Sequence, residues 1–340
     1  MLPVLGTGIA LAAVPLFVRG SGYVLRIATF LLMLATYAVG FNLLFGHTRQ
    51  LFLCIGVLAG TGAYGSVLLV RNAGLNPVAA IAVAVAIATG LGAFLSYVGV
   101  RRGFGVLFVG IVTLAVSLIF QNLVLGLRKY TNGETGIVTQ GLGVGLAENP
   151  VQAYYILLAV LVAALAVYQE IMGSRHGLAL HALSDDEVSA ELSGIDVARY
   201  KVGVAALAAG FISLVGALFA DWNGFISPSL FSVGHVDIPV LIVLLLGGMR
   251  TLLGPVVGAI VFTIVDAIVR PFGQLTVLAY GVLLVALFLV FREGTVTLLQ
   301  RGWEMVQSST QRGQVGRGVA ADEDGDPLSQ RTNSRAKSPY

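Results

Sequence analysis

Ten stretches of this sequence are apolar on every face over most of the length a bilayer crossing requires: roughly 2–18, 23–46, 50–70, 77–100, 104–127, 151–171, 201–221, 236–248, 255–270 and 274–291. About 20 such residues span a hydrocarbon core as a helix. Inside lipid a chain must satisfy its own backbone hydrogen bonds, which leaves helices or closed barrels. The runs lack the apolar–polar alternation of barrel strands, so helices are predicted, with 236–248 the shortest of the ten. Charge agrees with this. Only 11% of the 340 residues are charged, against about 25% in a soluble domain, and 13 of the 37 charges lie from Arg292 onward. The expected fold class is all-α, a polytopic integral membrane protein with about ten transmembrane helices.

Composition also closes off other classes. A net charge of +3 without a basic, aromatic-interleaved patch does not suit nucleic acid. The single cysteine, Cys54, excludes an intrachain disulfide and a thiolate metal cluster. The four histidines, His47, His176, His181 and His235, lack metal-site spacing. Leu2 to Val18 has no basic residue before it and no small-residue cleavage site, so it is expected to be a span and not a removable signal. Lys and Arg counts, eight in the inner loops against six in the outer ones, put both termini in the cytoplasm. A transmembrane domain of 1–295 and a tail of 296–340 are expected, with disorder from about 307, where Ser, Gln, Arg, Gly and Asp replace large apolar residues. Gly60, Gly62 and Gly65 form a G-x-G-x-x-G, but a dinucleotide fingerprint needs a soluble βαβ unit around it. Here small residues are expected to let helices approach closely.

The most informative polar stretch is the loop of about 173–200. Ser184-Asp185-Asp186-Glu187 matches a capping box, in which Ser184 and Glu187 would exchange side-chain bonds with each other's backbone N–H. Acids in the first turn suit the positive end of the helix dipole, and Gly194 is a natural stop. A short helix of about 185–193 outside the bilayer is predicted, with Val188, Ala190, Leu192 and Ile195 available to pack. By itself this pattern fits a helix lying on its own protein or one docking a partner.

Arg175-His176-Gly177-Leu178-Ala179-Leu180-His181-Ala182-Leu183, with Ala190-Glu191, Gly194-Ile195 and Arg199-Tyr200-Lys201, resembles the coupling loop of the branched-chain amino acid ABC importer permeases of the LivM type. Phe41-Asn42-Leu43-Leu44-Phe45-Gly46 is similar to that family's L-N-L-L-x-G, Gly62-Ala63-Tyr64 to its G-A-Y, and Ile111-Val112-Thr113-Leu114-Ala115 to its I-V-T-L-A. Thr131 to Gly136, Ser227-Pro228, Gly247-Gly248 and Gly254-Pro255 follow in family order, so the resemblance runs from about residue 37 to 295. Two departures stand out: Arg49 to Ile55 lacks the usual S-L-G-H, and Asn132 replaces a usual glycine. The resemblance implies a permease subunit of an importer in the plasma (inner) membrane that moves branched-chain amino acids or related small polar solutes by alternating access. It implies ABC ATPase subunits docked on the loop through Gly177, Leu180, Ser184, Glu187, Ala190, Glu191, Gly194 and Ile195. It further implies a second, LivH-like permease and an extracytoplasmic solute-binding protein, with membrane lipid around the chain.

The chain has only three lysines and no G-x-x-x-x-G-K-[ST] loop for phosphate. It is therefore expected to bind no cofactor and not to be an enzyme, with ATP and magnesium handled by the partner ATPases. Charges within spans are functional candidates. Glu170, Asp221 and Arg270 fall near span ends and are expected to reach the interface, and Asp266 and Arg270 are four apart and able to pair. Asp237, with His235 and Pro239, opens the short run Val240 to Leu246, and broken helices of this kind often line a polar path. Asn42, Thr113, His235 and Asp237 are the candidate translocation-path residues. An ion-coupled secondary transporter using Asp237 or Asp266 is the alternative. A membrane-embedded enzyme would need a motif such as H-E-x-x-H or G-x-S-x-G, and neither occurs.

Overall fold

Apolar runs free of helix breakers become the long helices, and the breaks fall where side chains take over the backbone's hydrogen bonds. The computed structural model describes residues 2–17, 22–139, 149–269, 278–283 and 285. It begins with α1 (Leu2–Ala12), the single turn α2 (Val14–Phe17) and α3 (Gly22–Phe41), which continues into a π-helical turn, Asn42–His47. Next come α4 (Ile55–Ala73), α5 (Pro77–Arg101), α6 (Val106–Gly126), the turn α7 (Arg128–Thr131) and the two-residue strand β1 (Ile137–Val138). Then follow α8 (Pro150–Met172), α9 (Arg175–Asp185), α10 (Glu187–Leu192) and α11 (Val197–Asn223). Strand β2 (Phe225–Ile226), a 3-10 turn at Pro228–Phe231 and a second π-helical turn at Val233–Asp237 lead into α12 (Ile238–Gly247) and α13 (Gly254–Val269). The strands pair antiparallel, Ile137 with Ile226 and Val138 with Phe225.

Among the described residues, five helical stretches are long and apolar enough to cross a membrane: Gly22–His47, Pro77–Arg101, Val106–Gly126, Pro150–Met172 and Val197–Asn223. α3 sits at the centre, with Leu32, Leu34, Tyr37 and Phe41 buried against α8, α11, α12 and α13. α4, α5 and α11 form a second tightly packed group. There a Cβ on Gly62 would overlap the carbonyl oxygen of Ser213, and one on Gly216 that of Ala59. The glycines of the G-x-G-x-x-G stretch thus serve helix-to-helix contact.

Several expectations need correction. The first span is not continuous: α1 and α2 break at Ala13, and Tyr154 on α8 donates its hydroxyl to the Leu11 carbonyl at 2.7 Å beside that break. The third begins at Ile55 and not near 50, because residues 50–54 are non-helical and bonded to side chains of other helices. α12 has 10 residues, about 15 Å at 1.5 Å per residue, about half a hydrocarbon core. Asp221 is fully buried instead of reaching the interface, whereas Glu170 is exposed. Asp266 accepts from the Tyr280 hydroxyl, and Arg270 lies outside the described residues, as do the tail of 296–340 and most of 274–291.

Candidate functional site

Two features of the fold bring the candidate residues together: a helical pair at one end of the bundle, and a non-helical strap, residues 50–54, that precedes α4.

The helical pair is built by local capping. Ser174 opens α9 by accepting from His176 N–H at 3.2 Å, and α9 doubles back on α8 so closely that a Cβ on Gly177 would overlap the Met172 carbonyl. Leu180 is buried in the main core. The expected capping box does not form. α9 runs through Ser184, whose hydroxyl returns to the His181 carbonyl at 2.8 Å, and Glu187 pairs with Lys201 at 2.6 Å. Asp186 is the cap of α10 instead, accepting from Val188 N–H at 3.0 Å and from the Ser189 hydroxyl at 2.6 Å. The Ser189 hydroxyl, then the Val188 N–H, hold its carboxyl below the usual carboxylate range.

α10 ends in a Schellman motif: Gly194 N–H meets the Glu191 carbonyl at 2.9 Å and Ile195 N–H the Ala190 carbonyl at 3.1 Å, with Gly194 at φ +84°. Ile195 closes it by packing with Ala190, Leu183 and Val197. The A-E-x-x-G-I pattern therefore encodes a helix stop. Of the four apolar residues expected to pack, Ala190 and Ile195 do so. Val188 and Leu192 stand bare, 65% and 85% exposed, and Glu191 is exposed beside them.

The last carbonyls of α9 are gripped by the bundle. Arg250, in the turn between α12 and α13, reaches the Ser184 carbonyl at 3.1 Å and lies 3.7 Å from the Asp185 carboxylate, while its Nε donates to the Gly46 carbonyl at 2.9 Å. Arg49 donates to the Asp185 carbonyl at 3.3 Å. Cations belong at a helix C-terminus, where the dipole is negative. Both arginines have left-handed backbones, φ +63° and +53°. Asn42 completes the junction: its Oδ1 accepts from Arg250 N–H at 2.8 Å and its Nδ2 donates to the Thr251 carbonyl at 2.9 Å. Tyr168 on α8 bonds both Asn42 and His47. Asn42 thus braces the α12–α13 turn.

The strap is held at each step. Gln50 bonds Ser96 at 2.8 Å, Leu53 N–H donates to Thr113 Oγ1 at 2.9 Å, and the Ser117 hydroxyl donates to the Leu53 carbonyl at 2.9 Å. Asp237, fully buried, accepts the Ile55 N–H at 2.5 Å and so caps α4 from the second π-helical turn. Thr113 therefore holds the strap and Asp237 the start of the helix that follows it, while His235 lies apart, exposed and bonded to Ser232 at 2.8 Å. Arg250, Arg49, Tyr168 and Ser117 were not legible in the sequence, because each acts across more than 60 positions.

Sequence comparison assigns this helical bundle to a family. A family model for the permease component of branched-chain amino acid transport systems matches residues 23–291. The chain belongs to this family. The permease is 25% identical over 299 residues to the high-affinity branched-chain amino acid transport system permease protein LivM of Escherichia coli (strain K12), covering 80% of this chain and 69% of that one. It is likewise 25% identical over 307 residues to the LivM protein of Salmonella typhimurium (strain LT2), covering 82% and 71%. No solved structure matches the permease.

Proposed function

We propose that this permease is one of two membrane subunits of an ABC importer, moving branched-chain amino acids or related small polar solutes by alternating access. About ten membrane segments, both termini cytoplasmic, are part of that reading. Separate ATPase subunits, which use ATP and magnesium, dock on the α9–α10 pair. A second, LivH-like permease lies alongside, and an extracytoplasmic binding protein delivers solute to the opposite face.

The observation that carries the proposal is the helical pair: α10 presents Val188 and Leu192 bare, yet its base is fixed to the bundle through Arg250. A surface that is free outward and clamped inward passes a partner's movement to the π-helical turn at Asn42–His47 and to the α12–α13 turn. The test separates docking from transmission. Val188→Asp with Leu192→Asp is expected to abolish copurification of the ATPase with the permease. Arg250→Ala is expected to keep the ATPase bound while solute moved per ATP hydrolysed falls about tenfold. Normal coupled uptake in both variants would remove the α9–α10 pair from the transport cycle.

A further inference from the structure

At the end of the bundle remote from α9–α10, the start of α3, the end of α11, the turns after β2 and the far half of α13 enclose a cavity of about 360 Å³. Phe231, a buried part of its lining, also touches the start of α4. Its ring packs on Tyr64 of α4, centroids 5.9 Å apart, and on Phe219 of α11 at 6.1 Å. Its carbonyl oxygen lies so close to α4 that a Cβ on Gly56 would overlap it, and the same Cβ would stand 3.2 Å from Asp237 Oδ2. One residue therefore separates the cavity from the junction of the strap, α4 and α12. Asp237 opens α12, whose 10 residues cover about 15 Å before the turn that Arg250 fixes to α9. The Phe231 barrier thus lies about half a hydrocarbon core from the α9 end.

Behind this residue the Tyr64 hydroxyl and Asp237 Oδ2 are buried with no hydrogen-bond partner among the described residues. A buried polar atom left unpaired costs about 1–3 kcal/mol, so two beside one phenylalanine call for a reason. A second state, in which the ring moves aside and water or a polar solute reaches both oxygens, supplies it. The backbone is suited to such a movement. Phe231 ends a 3-10 turn, Ser232 is extended, and a π-helical turn begins at Val233. The ring is therefore held by packing and not by a continuous α-helical ladder, and non-α turns of this kind often mark hinges. We propose that the Phe231 ring is the gate between the cavity and the junction of the strap, α4 and α12. Closed, it seals Tyr64 and Asp237 from the cavity; open, it joins them to it. In the importer reading, on which the direction of flow rests, solute passes this ring between the cavity and the α9–α10 end.

Cys54, the single cysteine of the chain, is the reporter. It is fully buried and directly precedes Ile55, whose N–H Asp237 accepts, so it lies behind the ring as seen from the cavity. The full chain in detergent is treated with N-ethylmaleimide, and modification of Cys54 is followed by mass spectrometry. Phe231→Ala is expected to raise the rate about tenfold or more, and Phe231→Trp to leave it at or below that of wild type. Phe120→Ala controls for general loosening. Phe120 packs on the same Tyr64 ring from α6, centroids 6.4 Å apart, and lies outside the described cavity lining. That variant should lose comparable stability yet label within about twofold of wild type. Equal labelling of the two alanine variants would overturn the gate. In the complete transporter, ATP hydrolysis should change the labelling rate of wild type, and Phe231→Ala should abolish the difference; a wild-type rate indifferent to ATP would also overturn it. If the complete transporter takes up L-leucine while Phe231→Ala labels no faster than Phe120→Ala, the gate is wrong and the importer reading stands. If labelling follows Phe231 but no apolar amino acid is taken up, the gate stands and that reading fails.

Discussion

Asp237 is fully buried, with Oδ1 on the backbone at the start of α4 and Oδ2 without a hydrogen-bond partner among the described residues. Oδ1 takes the Ile55 N–H at 2.5 Å, and the partial positive charge of a helix N-terminus favours an anion there. If capping is its work, an amide suffices. Asp237→Asn keeps an acceptor and is expected to transport within about threefold of wild type, less than about 1 kcal/mol of barrier. Asp237→Ala leaves the N–H unpaired and should cost about 0.5–2 kcal/mol, seen as a lower unfolding midpoint in detergent. Uptake abolished in a normally folded Asp237→Asn protein would make this residue an ion carrier. The His235–Pro239 pattern drew attention to Asp237, but its partner lies 182 positions away, and no local signal links them. Asn132 is the opposite case. Its φ of +57° explains both the usual glycine and its tolerated replacement, since asparagine adopts left-handed backbone more readily than most residues.

At the scale of elements, α4 and α11 touch backbone to backbone. A methyl group at Gly216 has no room against the Ala59 carbonyl, whereas one at Gly203, on the same helix, meets nothing within 4 Å. Gly216→Ala is expected to destabilise the detergent-solubilised protein by about 1–3 kcal/mol through overpacking. Gly203→Ala should leave it unchanged or raise it by up to about 1 kcal/mol. Equal unfolding midpoints for the two variants would mean that α4 and α11 are not packed this closely. The stop of α10 was legible because a Schellman motif is local: Ala190, Gly194 and Ile195 carry it within six residues. Its start was not. Ser184 and Asp186 are both good caps two positions apart, and the choice fell to how far α9 extends and to Lys201, which takes Glu187 away from Ser184.

For the whole molecule, the question is what drives the solute. Asp237 is sealed and serves as a cap, and the α9–α10 pair offers an outward surface clamped to the core, an arrangement suited to a force applied from outside the membrane. Uptake in vesicles holding the complete transporter is therefore expected to continue when a protonophore collapses the proton gradient at fixed ATP, and to stop when ATP is depleted. The reverse result would favour ion coupling. Hydropathy and charge alone determined that this chain is a helical membrane protein, because only long apolar helices satisfy their own backbone in lipid. The ordered motifs pointed to the permease family, and one short helix near 185–193 was visible as a pattern, whereas α9 before it was not expected. The tertiary structure alone decided where helices break and what the polar residues do. The strap at 50–54 is held by hydrogen bonds from Ser96 on α5 and from Thr113 and Ser117 on α6, and Asp237, from the turn before α12, caps the helix that follows it. Arg250 becomes a clamp only because folding sets it against the end of α9. Such long-range pairings leave no periodic trace, since each one depends on the packing of every helix between its partners.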